Sequence, residues 1–278
     1  MRLGLTIFLT DRTIGAVEMA RETEARGFSS LWFPEHTHIP TSRRTPAPTG
    51  DRELPEEYLR CLDPLVALTA AAVATERLVV GSGVSLVAQH HPIDYAKAWA
   101  TLDLVSGGRA RFGVGFGWNV EEMEDHGVAY GTRREQAREH VRAMQALWGE
   151  PEARFAGQYV NFEPTFSWPK PVQQPRIPTF VGGGAGPKLF AHVAEWADGW
   201  LPIGGGGIRE ALPALRAAWA EAGRDGEPQV IPFGTLPSAE KLAYYEQLGC
   251  TEVVLRVPAV GRDGVLAVLD SYAPLVDG

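Results

Sequence analysis

Residues 78–119 read LVVGSGVSLVAQHHPIDYAKAWATLDLVSGGRARFGVGFGWN. The stretch opens on an apolar run, 78–86, interrupted by Gly81 and Gly83. A helical spacing follows over 94–105 and stops at Gly107-Gly108, before a second apolar run at 110–114. Strand, helix and strand in this order predict two parallel strands joined by a right-handed crossover. Runs this rich in Val and Leu suit strands buried on both faces.

The same unit repeats on either side. Toward the N-terminus lie a strand over 3–8, a helix over 13–26 that ends at Gly27, and a strand over 30–33. A long polar, proline-rich stretch, 34–55, separates these from a helix over 65–75, with Asp63 as its N-cap and Pro64 at its first position. Toward the C-terminus come a helix over 133–147 and an alternating segment, 155–166, that predicts a hairpin around Gly157. Strands over 178–181, 199–203, 230–233 and 252–257 then alternate with helices over 187–195, 208–222, 238–248 and 263–275, with Ser238 as an N-cap. Eight strands alternating with eight helices predict an α/β fold, a (β/α)₈ TIM barrel with a small insertion after strand 4 and helix 4. A doubly wound open sheet is the alternative topology. The 278 residues suit one such barrel, which takes about 250.

Composition narrows the function classes. The net charge is −8, and no basic stripe or basic-aromatic cluster points to nucleic acid. Arg43-Arg44 and Arg133-Arg134 read as solvated surface charge. Cys61 and Cys250 lack metal-ligand spacing and fit a reducing, cytoplasmic setting. No run approaches the ~18 apolar residues of a membrane span, and residues 1–10 read as a first strand rather than a signal segment.

In a barrel the loops at the C-terminal strand ends carry the chemistry. After strand two stand Glu35 and His36, a carboxylate beside an imidazole, which together suit acid–base work near neutral pH. Gly81 and Gly83 weaken a buried strand and so mark a close approach, either of a flat ring or at a bulge that bends the strand. In Gly113-Val114-Gly115-Phe116-Gly117-Trp118-Asn119 a bare strand face offers room for a planar ligand, with Trp118 and Asn119 as walls; tight packing is the other reading. No dinucleotide fingerprint is present, because Trp118 stands where its third glycine would be. Gly182, Gly183, Gly184, Ala185 and Gly186 lead into a helix N-terminus, an arrangement that binds anions. Arg256 fits either an anionic group or a salt bridge at the rim.

Together these segments resemble the luciferase-like monooxygenase superfamily, and most closely its branch of deazaflavin-dependent (coenzyme F-420) oxidoreductases. The matching pieces are 27–32 leading to Glu35-His36, then 80–84, 113–119 with Glu121-Glu122, 169–173, 181–183 and 197–202. The resemblance runs from Met1 to about Pro202. It implies one barrel domain over residues 1–278, often dimeric. It also implies a non-proline cis peptide at Gly83–Val84 behind the ring, so that Ser82, Gly83, Val84, Gly117, Trp118 and Asn119 hold the ring and Gly182–Gly186 hold the phosphate. His36 falls where related enzymes keep an active-site histidine, whereas Glu35 stands where they often have Asp.

The implied reaction is hydride transfer between coenzyme F-420 and a small organic substrate. His36 would handle the proton, Glu35 would orient His36 or raise its pKa, and the stretch 34–55 would form a lid. The alternative cofactor is FMN, in a two-component monooxygenase that uses dioxygen and a flavin or deazaflavin reductase as partner. A non-catalytic flavin-binding barrel is the remaining reading. No metal, nucleic acid or membrane partner is expected, and a homodimer is.

Overall fold

The computed structural model describes residues 1–42, 44–46 and 53–276. Arg43, residues 47–52 of the stretch expected to form a lid, and residues 277–278 lie outside the described residues. The first elements are β1 (Arg2–Thr6), α1 (Ala16–Ala25), β2 (Ser30–Phe33), α2 (Glu56–Leu59), α3 (Pro64–Val73) and β3 (Val79–Ser82). Next come α4 (Pro92–Val105), β4 (Ala110–Val114), α5 (Val120–Asp125), α6 (Arg133–Gly149), β5 (Ala153–Ala156) and β6 (Asn161–Thr165). The chain continues through β7 (Thr179–Gly182), α7 (Pro187–Trp196), β8 (Gly199–Leu201), α8 (Ile208–Glu221) and β9 (Gln229–Val230). It closes with β10 (Phe233–Thr235), α9 (Ala239–Gln247), β11 (Glu252–Arg256) and α10 (Arg262–Tyr272). The predicted caps form: Asp63 accepts from the Val66 N–H and Ser238 from the Lys241 N–H.

Nine parallel strands form one curled sheet in the order β10-β11-β1-β2-β3-β4-β7-β8-β9. Its outer strands, β9 and β10, follow one another in sequence around Ile231-Pro232. The Ile231 N–H donates to the Trp200 carbonyl at 3.0 Å, and the Val254 N–H to the Pro232 carbonyl at 2.8 Å. The predicted single strand 230–233 is thus two short pieces, because Pro232 has no N–H to give. The expected hairpin forms, as antiparallel β5–β6 between α6 and β7. Among the described residues no helix is long and apolar enough to cross a membrane.

Period-two alternation sorts the strand residues into two layers. Trp32, Phe180, Leu201, Ile231, Phe233 and Val254 pack inside the curl. Leu31, Phe33, Phe112, Val253 and Leu255 pack outward in the larger core under the helices. Near the N-terminal strand ends, buried Glu252 accepts from Ser30 Oγ at 2.6 Å and from Arg111 Nη1 at 2.7 Å. Both charges are paired, as burial requires, and the opposite end is left for the site.

Candidate active site

A cavity of about 610 Å³ lies at the C-terminal strand ends. The end of β2 delivers Glu35 and His36 to its wall, the segment after β3 delivers Gly83 and Val84, and the segment after β4 delivers Gly117 and Trp118.

His36 Nδ1–H donates to Glu122 Oε2 at 2.8 Å, and both side chains are buried. The carboxylate fixes the tautomer and the ring plane and leaves Nε2 as the working nitrogen. Glu122 is itself held: its Oε1 accepts from the Thr37 N–H at 3.2 Å, and its own N–H is capped by the Asn119 side chain at 3.2 Å. The rings of Tyr58 and Trp118 flank His36, with centroids 5.3 and 5.7 Å away. Among the described residues Glu35 makes no side-chain hydrogen bond to His36. Its Oε2 accepts from the Leu86 N–H at 2.6 Å and its Oε1 pairs with His90 Nε2 at 2.7 Å. Glu35 is the expected orienter of His36, but the carboxylate bonded to that ring is Glu122, and Glu35 instead ties the end of β2 to the segment after β3. His90 stacks flat on Tyr95, with centroids 3.9 Å apart. Burial disfavours the charged form of His90, but the hydrogen bond and charge of Glu35 more than offset this and raise its pKa above the ordinary value. Cys61 is no nucleophile, since burial pushes its thiol up to about 12.

The peptide Gly83–Val84 is cis, as the resemblance implies. The glycines around it make room for the protein's own groups. A Cβ on Gly81 would lie 2.5 Å from the Trp32 ring, and one on Gly83 would overlap Phe233. Cβ atoms on Gly115 and Gly182 would run into the two γ-carbons of Val84, so these glycines let Val84 reach the cavity wall. Ser82 is elsewhere: it is fully buried, and its hydroxyl donates to the Gly113 carbonyl at 2.8 Å and accepts from the Gly113 N–H at 3.1 Å. Ser82 thus staples β3 to β4, and Asn119 caps α5; neither lines the cavity.

Gly182, Gly183 and Gly184 line the cavity, whereas Ala185 and Gly186 lie behind them at the start of α7. The Gly183 N–H is engaged by the Leu201 carbonyl at 3.2 Å, so it is not a free donor. Arg133 and Arg134, read from sequence as surface charge, are half-buried in the same cavity wall. Arg133 Nε and Arg134 Nη1 are buried without a hydrogen-bond partner among the described residues. Each guanidinium rests on a ring, Arg133 3.6 Å from the Tyr130 centroid and Arg134 4.5 Å from that of Phe116. Burial lowers the Arg134 pKa, with Arg133 adding to the effect. Unpartnered buried donors beside a glycine loop suit an anionic ligand group. Arg256 also lines the cavity, and Glu57 approaches it at 3.6 Å, the rim contact that was one of its two readings.

The family described as luciferase-like monooxygenase matches residues 11–248. The chain belongs to that family. It is accordingly an oxidoreductase, and its cavity occupies the strand ends where a barrel keeps its site. A Mycobacterium tuberculosis relative, named Uncharacterized protein Rv0953c, is 44% identical over 276 residues, 98% of each chain. The F420-dependent glucose-6-phosphate dehydrogenase of Kineococcus radiotolerans is 30% identical over 215 residues, 74% of this chain and 58% of that one. Among solved structures, monooxygenase RslO1 from Streptomyces bottropensis shares the fold with a TM-score of 0.79 at 18% identity, covering 99% of this chain and 98% of its own.

Sequence reasoning missed Arg133, Arg134, Tyr58 and the role of Glu122. The arginines open α6 only after α5 and a further turn separate them from the glycines that end β4, so no local signal linked them to the site. Glu122 stood in the matched segment, but its partner is 86 residues away.

Proposed function

We propose that this luciferase-like protein is a single (β/α)₈ barrel in which β9 and β10 form one interrupted strand, and that it transfers hydride between coenzyme F-420 and a small organic substrate. The observation that carries the reading is the buried His36–Glu122 pair, whose His36 lines the main cavity. The relative named as F420-dependent supports the choice of cofactor. The cofactor's phosphate suits Arg133 and Arg134, each of which keeps one buried nitrogen without a partner among the described residues, and the Gly182–Gly184 loop that lines the same cavity. Gly83, Val84, Gly117 and Trp118 bound the space for a flat ring. When bound, the reduced deazaflavin supplies the hydride.

The chain supplies the rest. His36 Nε2 holds the proton exchanged with the substrate oxygen, and Glu122 keeps the ring turned to the cavity. Trp118 and Tyr58 give an apolar wall that excludes water. Glu35 holds the Val84 segment in register with His36. The exposed Val66 and Val73 of α3 favour a homodimer that buries this face.

Oxygen uptake tests the proposal against its FMN alternative. Supplied with each reduced cofactor and candidate carbonyl substrates, the enzyme should oxidise the deazaflavin without consuming oxygen. Oxygen consumption that tracks turnover with reduced FMN, from a partner reductase, would replace this reading with a two-component monooxygenase.

A further inference from the structure

Helix α5 carries Glu122, the carboxylate bonded to the His36 ring, yet it is only six residues long. A helix this short is marginal in water by itself and depends on what it is packed and bonded against. The Asn119 side chain caps its Glu122 N–H, and Met123 is buried beneath it. A further hold comes from the chain that leaves His36.

That hold is Glu121, which is only 4% exposed. Its Oε1 accepts from the Arg44 N–H at 2.7 Å and from the Thr45 N–H at 3.2 Å, and its Oε2 accepts from the Thr45 hydroxyl. The same hydroxyl oxygen accepts from the Val120 N–H at 3.3 Å, so Thr45 bridges the carboxylate and the start of the helix. Burial opposes the charge of Glu121, but the Thr45 hydroxyl and the N–H groups of Glu121, Thr45 and Arg44 outweigh it and hold the carboxyl down at about 2. The carboxylate therefore keeps its charge, and its donors, across the neutral range. At the other end of the helix, Thr37 Oγ1 bonds His126 Nε2 at 2.7 Å and His38 Nε2 bonds Asp125 at 3.0 Å. Residues 37–38 and 44–45 thus grip α5 at both ends, with Glu122 between them. Two buried carboxylates in succession are tolerated because each has its own donors: the strap for Glu121, His36 and Thr37 for Glu122.

We propose that Glu121 is a positioning residue for His36: by clasping Arg44 and Thr45 onto α5, it fixes the helix that holds Glu122 against the imidazole. Its effect on turnover rests on His36 as the proton carrier, whereas its effect on the geometry of the pair does not.

Heteronuclear NMR of the full chain with labelled histidine reads the pair directly, with His36→Gln assigning the His36 signals. Turnover is measured on the same proteins with reduced coenzyme F-420 and candidate carbonyl substrates. The wild type should show a protected His36 Nδ1–H. Glu121→Ala and Thr45→Val should broaden or lose that signal, and kcat should fall by up to about 100-fold while the Kd of the cofactor is kept. Glu121→Gln, which retains an acceptor for the backbone donors, should recover part of both. Glu124→Gln, which removes an exposed charge from the same helix, should leave the signal in place. Should Glu121→Ala fail to fold, Thr45→Val carries the test. A wild type without the signal, an unchanged signal in the folded clasp variants, or an equal loss in Glu124→Gln would overturn the proposal. A signal that changes while kcat does not would uphold the clasp and remove His36 from proton transfer.

Discussion

Glu35 and His36 are adjacent, yet an extended backbone sends successive side chains to opposite sides, so each finds its own partner. Their place at a strand end was legible in the sequence, although a histidine that merely caps a backbone carbonyl reads the same way. Their wiring was not, since Glu122 and His90 reach them only through the fold. If His36 moves the substrate proton, His36→Ala lowers kcat by about 10²–10⁴-fold and leaves the Kd of the cofactor nearly unchanged. Glu122→Gln loses less, and its pH–rate profile shifts. Stopped-flow turnover and fluorescence titration of both variants check this, and an equal loss of kcat and affinity would contradict it. The Glu35–His90 pair makes a separate prediction for stability. A histidine whose folded pKa is raised contributes fully below its unfolded value of about 6.5, and the contribution fades as pH rises through the folded pKa. The difference in urea midpoint between wild type and His90→Gln should therefore be largest near pH 5.5 and shrink toward pH 8.5. A difference that stays constant with pH would contradict the pair's role.

At the scale of elements, the strand–helix alternation was legible because buried parallel strands and their covering helices have different periods. The alternating glycines of β3 and β4 were read correctly as places of close approach. What approaches Gly81, Gly83 and Gly115 is the protein itself, through Trp32, Phe233 and Val84, as the close-packing alternative had it. Helix α5 escaped notice because six mostly acidic residues are too short to show a helical period. Gly115→Ala, whose new methyl would collide with Val84, should cost about 1–3 kcal/mol by overpacking and also weaken cofactor binding, because the wall itself moves. Ser82→Ala removes both hydroxyl bonds to Gly113 and should cost about 1–3 kcal/mol, with cofactor affinity largely retained. Chemical denaturation paired with cofactor titration separates the two, and a Ser82→Ala enzyme that folds normally but no longer binds cofactor would restore Ser82 to the binding site.

For the whole molecule, charge placement matters more than charge total. The net charge of −8 gave no hint of the cationic patch that Arg133 and Arg134 form inside the main cavity. A pair of arginines on a helix's first turn reads as solvated surface until the fold shows that this turn faces the glycine loop. Arg134→Ala should weaken any phosphate-bearing ring cofactor by about tenfold or more, the loss of one charged hydrogen bond, and leave the phosphate-free chromophore unaffected. Equal weakening of both would remove the arginine from the phosphate site. The most direct test of the central claim is titration of the purified wild-type protein with coenzyme F-420 and with FMN, followed by fluorescence. Saturable binding of the deazaflavin, tighter than that of FMN, is the predicted result. Preference for FMN, or binding of neither, would contradict it.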